Sequence, residues 1–90
     1  MQIERIDWPD AIREKVERRH GLAIEEVESS LFDRRAHVRK AGRDRYALLG
    51  RSDSGAYITV IFAYRRQVAR IITARKMDSK ERRLYRRRRK

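Results

Sequence analysis

Two apolar runs separated by three residues restrict the fold of this chain more than any other feature. "AYITVIFAY" (56–64) and "VARIITARK" (68–76) are rich in Val, Ile and Tyr, and the short connection "RRQ" (65–67) lies between them. Residues of these types favour strands, and so short a connection joins antiparallel neighbours. The two runs therefore predict a hairpin at the centre of a sheet, with both of its faces covered.

Hydrophobic periodicity predicts the elements that come before this hairpin. Residues 2–6 indicate a short first strand. A helix is expected in "DWPDAIREKVERRHG", and it should end at His20 because Gly21 can form the C-cap. In "AIEEVESSLFD", apolar residues at helical spacing predict a second short helix that extends to about Asp33.

The period changes to two after the second helix and becomes helical again near the C-terminus. Strands are predicted in "AHVRK" (36–40) and "RYALLGRS" (45–52). Asp78 followed by Glu81 has the spacing of a capping box, so a last helix should begin near Ser79. The predicted order of elements is β-α-α-β-β-β-β-α.

Positive charge is concentrated towards the C-terminus. The 90 residues, enough for a single domain over 1–90, contain 25 Lys and Arg against 13 Asp and Glu, a formal net charge of +12. Residues 65–90 contain 13 of the basic and two of the acidic residues, so this segment carries +11. Such a field attracts polyanions. The basic tail, about 86–90, is expected to fray without one.

Composition and motifs exclude several classes of protein. The chain has no Cys, which removes disulfides and thiolate metal sites and fits a reducing compartment. No apolar stretch approaches the length of a membrane span and no signal-peptide core is present, so a cytoplasmic location is expected. Neither histidine has the spacing of a metal ligand, and no cofactor motif occurs, so we expect no metal and no cofactor.

Cations at a strand end and on the last helix are the first candidate site. Arg75 and Lys76 end a predicted central strand, where a rigid scaffold could hold them against a phosphate; a solvated strand terminus is the equally good alternative. Arg70 could face RNA or pair with an acidic neighbour across the sheet. The last helix has one broad basic face, formed by Arg82, Arg83, Arg86 and Arg87.

Proton transfer and base stacking need other side chains. Tyr85 lies among the charges of the last helix, whereas the other tyrosines lie in strand patterns and are expected to pack. His20 has a simpler interpretation as a helix-capping residue, and the role of His37 is left equally open. Trp8 is expected to cover the edge of the core.

Several local strings, taken together, resemble the BrnT family of ribonuclease toxins from bacterial type II toxin–antitoxin systems. The resemblance covers most of the chain and rests most specifically on "RIITARKM" (70–77) followed by "ERRLY" (81–85). Weaker matches are "IDW", "RHG", "IEEV", "LFD" and "RDRYALLGRS". It implies an α+β, RelE-like fold in which helices pack on a small antiparallel sheet.

The resemblance also implies a function and a set of residues. It implies RNA cleavage that needs no metal, and a cognate antitoxin that binds DNA, is of ribbon-helix-helix type and resembles BrnA. Toxin and antitoxin would form a hetero-oligomer, and the ribosome is a further candidate partner. The polar signature of the family corresponds here to Trp8, His20, Arg45, Arg75, Lys76, Glu81, Arg82 and Tyr85.

These observations lead to one hypothesis and to alternatives that stay open. In the hypothesis the ribose 2′-hydroxyl attacks the adjacent phosphate, Arg75 and Lys76 stabilise the developing charge, and Arg45 joins them. Tyr85 and His20, in that order, are the candidate general base and acid. The same arginines would also suit a non-catalytic RNA- or ribosome-binding module, or an inactivated relative retained for binding an acidic antitoxin.

Overall fold

The computed structural model describes residues 1–87, and the predicted hairpin lies at its centre. Strand β4 (Tyr57–Arg65) pairs antiparallel with β5 (Val68–Lys76). Arg66 and Gln67 connect them with φ of 50° and 66°, the positive values that a type I′ turn requires. A bulge between Ile61 and Phe62 interrupts the pairing, so β5 carries one extra residue there.

The predicted order of elements is confirmed. The other elements are β1 (Arg5–Asp7), α1 (Asp10–Arg19), α2 (Ile24–Leu31), β2 (His37–Gly42), β3 (Arg45–Arg51) and α3 (Ser79–Arg87). The sheet has the strand order β1-β5-β4-β3-β2. Strands β2 to β5 are antiparallel, while β1 lies parallel to β5, so the α+β fold is built on a mixed sheet.

Some boundaries differ from those predicted. The first strand occupies residues 5–7 rather than 2–6, because it pairs with the first three residues of β5. The second helix ends at Leu31, two residues before Asp33. Arg86 and Arg87 continue α3 instead of fraying, and the rest of the predicted tail lies outside the described residues.

Helices α1 and α2 cover one face of the sheet. Val16 of α1 and Val27 of α2 are fully buried against residues of β4 and β5 that include Val60, Phe62 and Ile71. Trp8 closes the edge of this core as expected, and its indole Nε1 donates to the Glu28 carboxylate at 3.0 Å. Gly21 follows α1 with φ of +60°, as a C-terminal glycine should.

Within residues 1–87, the opposite face is covered at one end only, by α3. Tyr85 and Leu84 of this helix pack there with Leu49, Met77 and Tyr57. The expectation that both faces of the central strands are covered is therefore wrong for the rest of this face. The rest of this face stays open because, in the described part of the chain, two helices pack on the opposite face and one short helix, α3, packs on this one.

Candidate functional site

The uncovered part of the sheet forms a basic surface with a flat, weakly polar floor. Side chains alternate between faces along a strand, and direct partners on neighbouring strands share a face. The pairs Arg39–Ala47, Ala47–Ile61 and Ile61–Thr73 make one row, and Arg45–Ala63 and Ala63–Arg70 make the next. We call these residues the open face: Arg39, Arg45, Ala47, Ile61, Ala63, Arg70 and Thr73.

The arginines of the open face are exposed and lie around its small residues. Arg39, Arg45 and Arg70 are exposed, whereas Ala47 is buried. Arg70 also forms a long ion pair, 3.7 Å from Nε to the Asp7 carboxylate on β1, with both side chains more than half exposed. One of the two predictions for Arg70 was an acidic neighbour across the sheet, and Asp7 is that neighbour. An exposed pair of this kind contributes little energy, so Arg70 can exchange partners.

Arg75 lies beside the open face and is held by Glu81 of α3. Its guanidinium donates two hydrogen bonds to the carboxylate, Nη1 to Oε1 at 2.7 Å and Nη2 to Oε2 at 2.9 Å. The same carboxylate accepts from the Thr59 hydroxyl at 3.0 Å and from the Asp78 N–H at 2.9 Å. The Asp78 carboxylate in turn accepts from the Glu81 N–H at 2.8 Å, which confirms the predicted capping box.

This network sets the charge state of its members. Burial pushes the pKa of Glu81 upwards, but the hydrogen bonds from Arg75, Asp78 and Thr59 outweigh it and hold the pKa below its ordinary value. The hydrogen bond to Glu81 raises the pKa of Arg75. The pair is thus fully ionised and mutually neutralised, so Arg75 offers less free positive charge than its position alone predicts.

Arg75 and Lys76 do not form a joint pair of cations. Arg75 is the strand partner of Thr59, on the α3 side, whereas Lys76 is the partner of Ile58, which belongs to the core on the α1–α2 side. Successive side chains of a strand point to opposite faces, and no irregularity interrupts β5 here. The prediction that both act on one phosphate is therefore wrong.

The predicted acid and base are also separated. Tyr85 is 1% exposed on the α3 side, and its hydroxyl donates to the Asp33 carboxylate. His20 follows the last residue of α1, on the other side of the sheet, where its N–H bonds to the Val16 carbonyl as a helix cap. The two candidates therefore lie on opposite sides of the sheet and are not brought together at one site. His37 does lie on the α3 side, because it is the strand partner of Leu49.

The Asp33 carboxylate accepts two hydrogen bonds besides the one from the Tyr85 hydroxyl. The backbone N–H groups of Arg35 and Arg51 donate to its two carboxylate oxygens at 2.9 and 2.8 Å. Burial raises the pKa of Asp33, but these three bonds and the charge of Arg35 outweigh it and lower the pKa overall. Asp33 is thus an ionised anchor for the end of α3, a role that its sequence position does not indicate.

The arginines of α3 fall into two pairs with different surroundings. Arg82 and Arg86 lie over the ring of Tyr57, with each guanidinium carbon within 5.6 Å of the ring centroid. Arg51 joins them from the end of β3 at 5.1 Å. The remaining pair, Arg83 and Arg87, is exposed on the outer side of α3. Cation–π contacts with one tyrosine partly offset the repulsion between three neighbouring guanidinium groups.

The residues that the structure describes form neither a metal cluster nor a membrane-spanning helix. Within residues 1–87 no group of three or more His, Cys, Asp or Glu side chains is arranged to hold a metal ion. None of the helices formed by these residues is both long enough and apolar enough to cross a bilayer.

The fold agrees with the comparisons to known proteins. Residues 8–81 match the family described as "Ribonuclease toxin, BrnT, of type II toxin-antitoxin system". The chain belongs to the BrnT family. The crystal structure of the Brucella abortus ribonuclease toxin, BrnT, superposes with a TM-score of 0.67 at 24% sequence identity, covering 83% of this chain and 97% of the Brucella chain. No curated protein sequence matches.

Membership of the BrnT family gives the coarse function, a ribonuclease toxin of a type II toxin–antitoxin system. Sequence reasoning missed three features of the site: Arg39, Arg51 and the anchor Asp33. The alternation in "HVRK" could have placed Arg39 on one face of β2, but only the strand register shows which face. Nothing in the sequence links Asp33 to Tyr85, which lies 52 residues later.

Proposed function

We propose that this BrnT chain is a metal-independent endoribonuclease that stops translation by cutting RNA on the open face. The observation that carries the proposal is the set of exposed arginines, Arg39, Arg45 and Arg70, around Ala47 and Ala63. The two alanines leave room for a single strand of RNA to approach the sheet, and guanidinium groups bind phosphates bidentately. An RNA substrate of this kind also supports the expected cytoplasmic location.

The proposed reaction is an internal transfer. The ribose 2′-oxygen attacks the adjacent phosphorus, a new P–O bond forms, and the bond to the 5′-oxygen of the next nucleotide breaks. The 2′-hydroxyl loses its proton to a base, and the leaving 5′-oxygen takes one from an acid. The products are a 2′,3′-cyclic phosphate and a 5′-hydroxyl, so neither water nor a metal enters this step.

Charge stabilisation falls to Arg45 in this proposal, with Arg39 beside it. Both are exposed on the open face, and in the described part of the chain neither takes part in an ion pair. A fixed donor aimed at the developing charge contributes about 3 kcal/mol to the transition state. Arg75 has a positioning role instead, because its hydrogen bonds to Glu81 join β5 to α3.

Proton transfer is assigned to His37 in place of His20. Of the two histidines of the chain, His37 lies on the α3 side of the sheet and is two residues from Arg39 on the same face. Histidine is the side-chain type most often used as a general base. The expected result is that His37→Gln lowers the cleavage rate at least 100-fold, whereas His20→Gln changes it less than threefold.

One assay tests the activity and separates it from a second candidate function. Purified protein is incubated with RNA in EDTA, and the fragment ends are analysed. Defined cuts that end in a 2′,3′-cyclic phosphate, lost in Arg45→Ala and kept in Arg13→Ala on α1, are the expected result. Intact RNA under these conditions would contradict the proposal.

The second candidate is a non-catalytic RNA- or ribosome-binding module. The buried Tyr85 hydroxyl, bonded to Asp33, favours it, because His37 is then left as the one proposed proton-transfer group for a reaction that needs both a base and an acid. Protein that retains RNA intact, with a salt-dependent affinity, would support the module.

We further propose that a cognate antitoxin neutralises this toxin in a hetero-oligomeric complex. An acidic segment of a DNA-binding, ribbon-helix-helix protein similar to BrnA would bind the basic side of the sheet, where complementary charge accelerates association. Growth arrest on expression of the toxin, relieved by co-expression of the neighbouring open reading frame, is the expected result. Arrest that co-expression leaves unchanged would remove that reading frame as the partner.

A further inference from the structure

A second basic surface lies at the end of the sheet, outside the open face. Along β4, Thr59 bonds to Glu81 of α3 and stands between Tyr57 at the strand end and Ile61 of the open face. Helix α3 therefore separates the two surfaces. We call Arg51, Arg82 and Arg86, which surround Tyr57, the arginine cluster.

A pocket of about 730 Å³ adjoins the arginine cluster and shares Arg51 with it. Its wall includes Tyr85, whose ring meets Tyr57 edge-on at 5.8 Å. Two more arginines, Arg34 and Arg35, lie on its wall, and so does the aromatic side chain of Phe32. Phe32 is 58% exposed, the second most exposed large hydrophobic residue in the described part of the chain. An aromatic ring left in water beside several cations is a stacking platform for a base.

Among the described residues, the guanidinium groups of the arginine cluster have no acidic partner. The ion pairs found within residues 1–87 involve Arg18, Arg70 and Arg75 instead. Two acidic residues lie on the wall of the adjoining pocket, Asp33 and Asp53. Asp33 is already occupied by Tyr85 and two backbone N–H groups, and Asp53 is in none of the ion pairs within residues 1–87. Three like charges that converge on one ring without a counterion are a site for an anion.

Local geometry fixes the orientation of Arg51. Its Nε donates to the Gly55 carbonyl at 3.2 Å, which leaves its terminal nitrogens for another acceptor. Gly55 has φ of +98°, and a Cβ there would lie 3.3 Å from Nη2 of Arg51. Glycine is favoured at position 55 for two reasons: it adopts the positive φ without strain, and it leaves space for the Arg51 guanidinium.

We propose that the pocket and the arginine cluster bind one nucleotide of the RNA substrate, with its phosphate at the cluster and its base on Phe32. This rests on the proposed function, because it adds a subsite for the same RNA on the far side of α3. Three guanidinium groups around one ring favour a phosphate over an acidic peptide, whose carboxylates are spread along the chain. The exposed ring of Phe32 favours a nucleotide, because a base can stack on it.

Binding of an uncleavable RNA tests this subsite. The probe is a short fluorescein-labelled 2′-O-methyl oligoribonucleotide, which lacks the attacking hydroxyl, and the readout is its anisotropy. Arg82→Gln/Arg86→Gln should weaken binding about tenfold. Phe32→Ala should weaken it about fivefold. The matched control, Arg13→Gln/Lys15→Gln on α1, removes the same charge from exposed positions and should bind within twofold of the wild type.

Three other results are informative. Affinity within twofold of the wild type in both test variants, with unchanged thermal midpoints, would overturn the subsite while leaving cleavage on the open face intact. Normal RNA binding with lost antitoxin binding would overturn it in favour of an acidic protein partner. Weakened probe binding by the test variants in a protein that fails to cut RNA in EDTA would support the subsite and reject the nuclease.

Discussion

At the scale of single residues, Glu81 and Glu14 show how burial decides what an ion pair contributes. Both are paired with arginine at close to 3 Å, but the Glu14 side chain is 61% exposed and that of Glu81 is 10% exposed. Glu81→Gln leaves charged Arg75 without its counterion and should lower the free energy of unfolding by about 2 kcal/mol. Glu14→Gln should cost less than about 0.5 kcal/mol. Urea unfolding measures both, and equal losses would contradict this ranking.

The same carboxylates predict a pH dependence of stability. The pKa values of Glu81 and Asp33 are lower in the folded state than their ordinary values of 4.5 and 3.8. Unfolded chains then bind protons that folded chains do not, so the stabilisation is complete above about pH 5 and is lost as the pH falls through the lowered values. The urea midpoint should stay level from pH 7 to pH 5 and then fall, and it should fall less in Glu81→Gln.

The contact between Arg75 and Glu81 could not be predicted from the sequence. The sequence correctly predicts the capping box of Asp78 and Glu81, because that motif is local. It does not show that the same carboxylate also binds Arg75 and Thr59, since this depends on the path of the chain between β5 and α3. Arg75→Ala would disturb the fold, so loss of cleavage in that variant would not identify a catalytic group.

At the scale of elements, α3 is fastened to the sheet at both ends. Glu81 bonds to Arg75 and Thr59 near its start, and Tyr85 bonds to Asp33 near its end. Tyr85→Phe keeps the buried ring and removes one hydrogen bond, so it should cost about 1 kcal/mol of stability. Tyr85→Ala also leaves a cavity and should cost about 3 to 5 kcal/mol. Chemical unfolding checks both values.

Tyr85→Phe also separates structure from catalysis. If Tyr85 only fastens α3, the variant should retain at least a tenth of the wild-type cleavage rate when its fold is intact. If Tyr85 were the general base, the rate should fall 100-fold or more, since a positioned base contributes at least that factor. A fall of this size with an unchanged circular dichroism spectrum would return Tyr85 to the catalytic group.

The elements themselves were largely predictable, and their assembly was not. Apolar alternation located the hairpin of β4 and β5, and caps located the C-terminal end of α1 and the start of α3. Three-residue β1 was misplaced because so short a strand has almost no pattern of its own and is defined by its parallel pairing with β5. Tertiary contacts of this kind override local propensity.

At the scale of the whole molecule, the fold concentrates positive charge on the α3 side of the sheet. The sequence shows +11 of the net +12 in residues 65–90 and an almost neutral remainder. Folding changes this picture, because β2 and β3 bring Arg39, Arg45 and Arg51 from the neutral part to the α3 side of the sheet. Helices α1 and α2, on the other side, contain six acidic and four basic residues. The molecule therefore presents one strongly basic side.

This polarity predicts that the position of a charge matters more than the total. Arg39→Gln/Arg45→Gln and Arg13→Gln/Lys15→Gln each remove two positive charges and leave the same net charge. The first pair lies on the open face and should weaken binding of a 2′-O-methyl RNA about tenfold. It should also flatten the dependence of log affinity on log salt by about 0.7 for each phosphate that the protein no longer neutralises. The second pair, on α1, should change neither quantity. Equal effects of the two pairs would mean that RNA responds to the overall charge of the toxin, and a specific binding face would then be unnecessary.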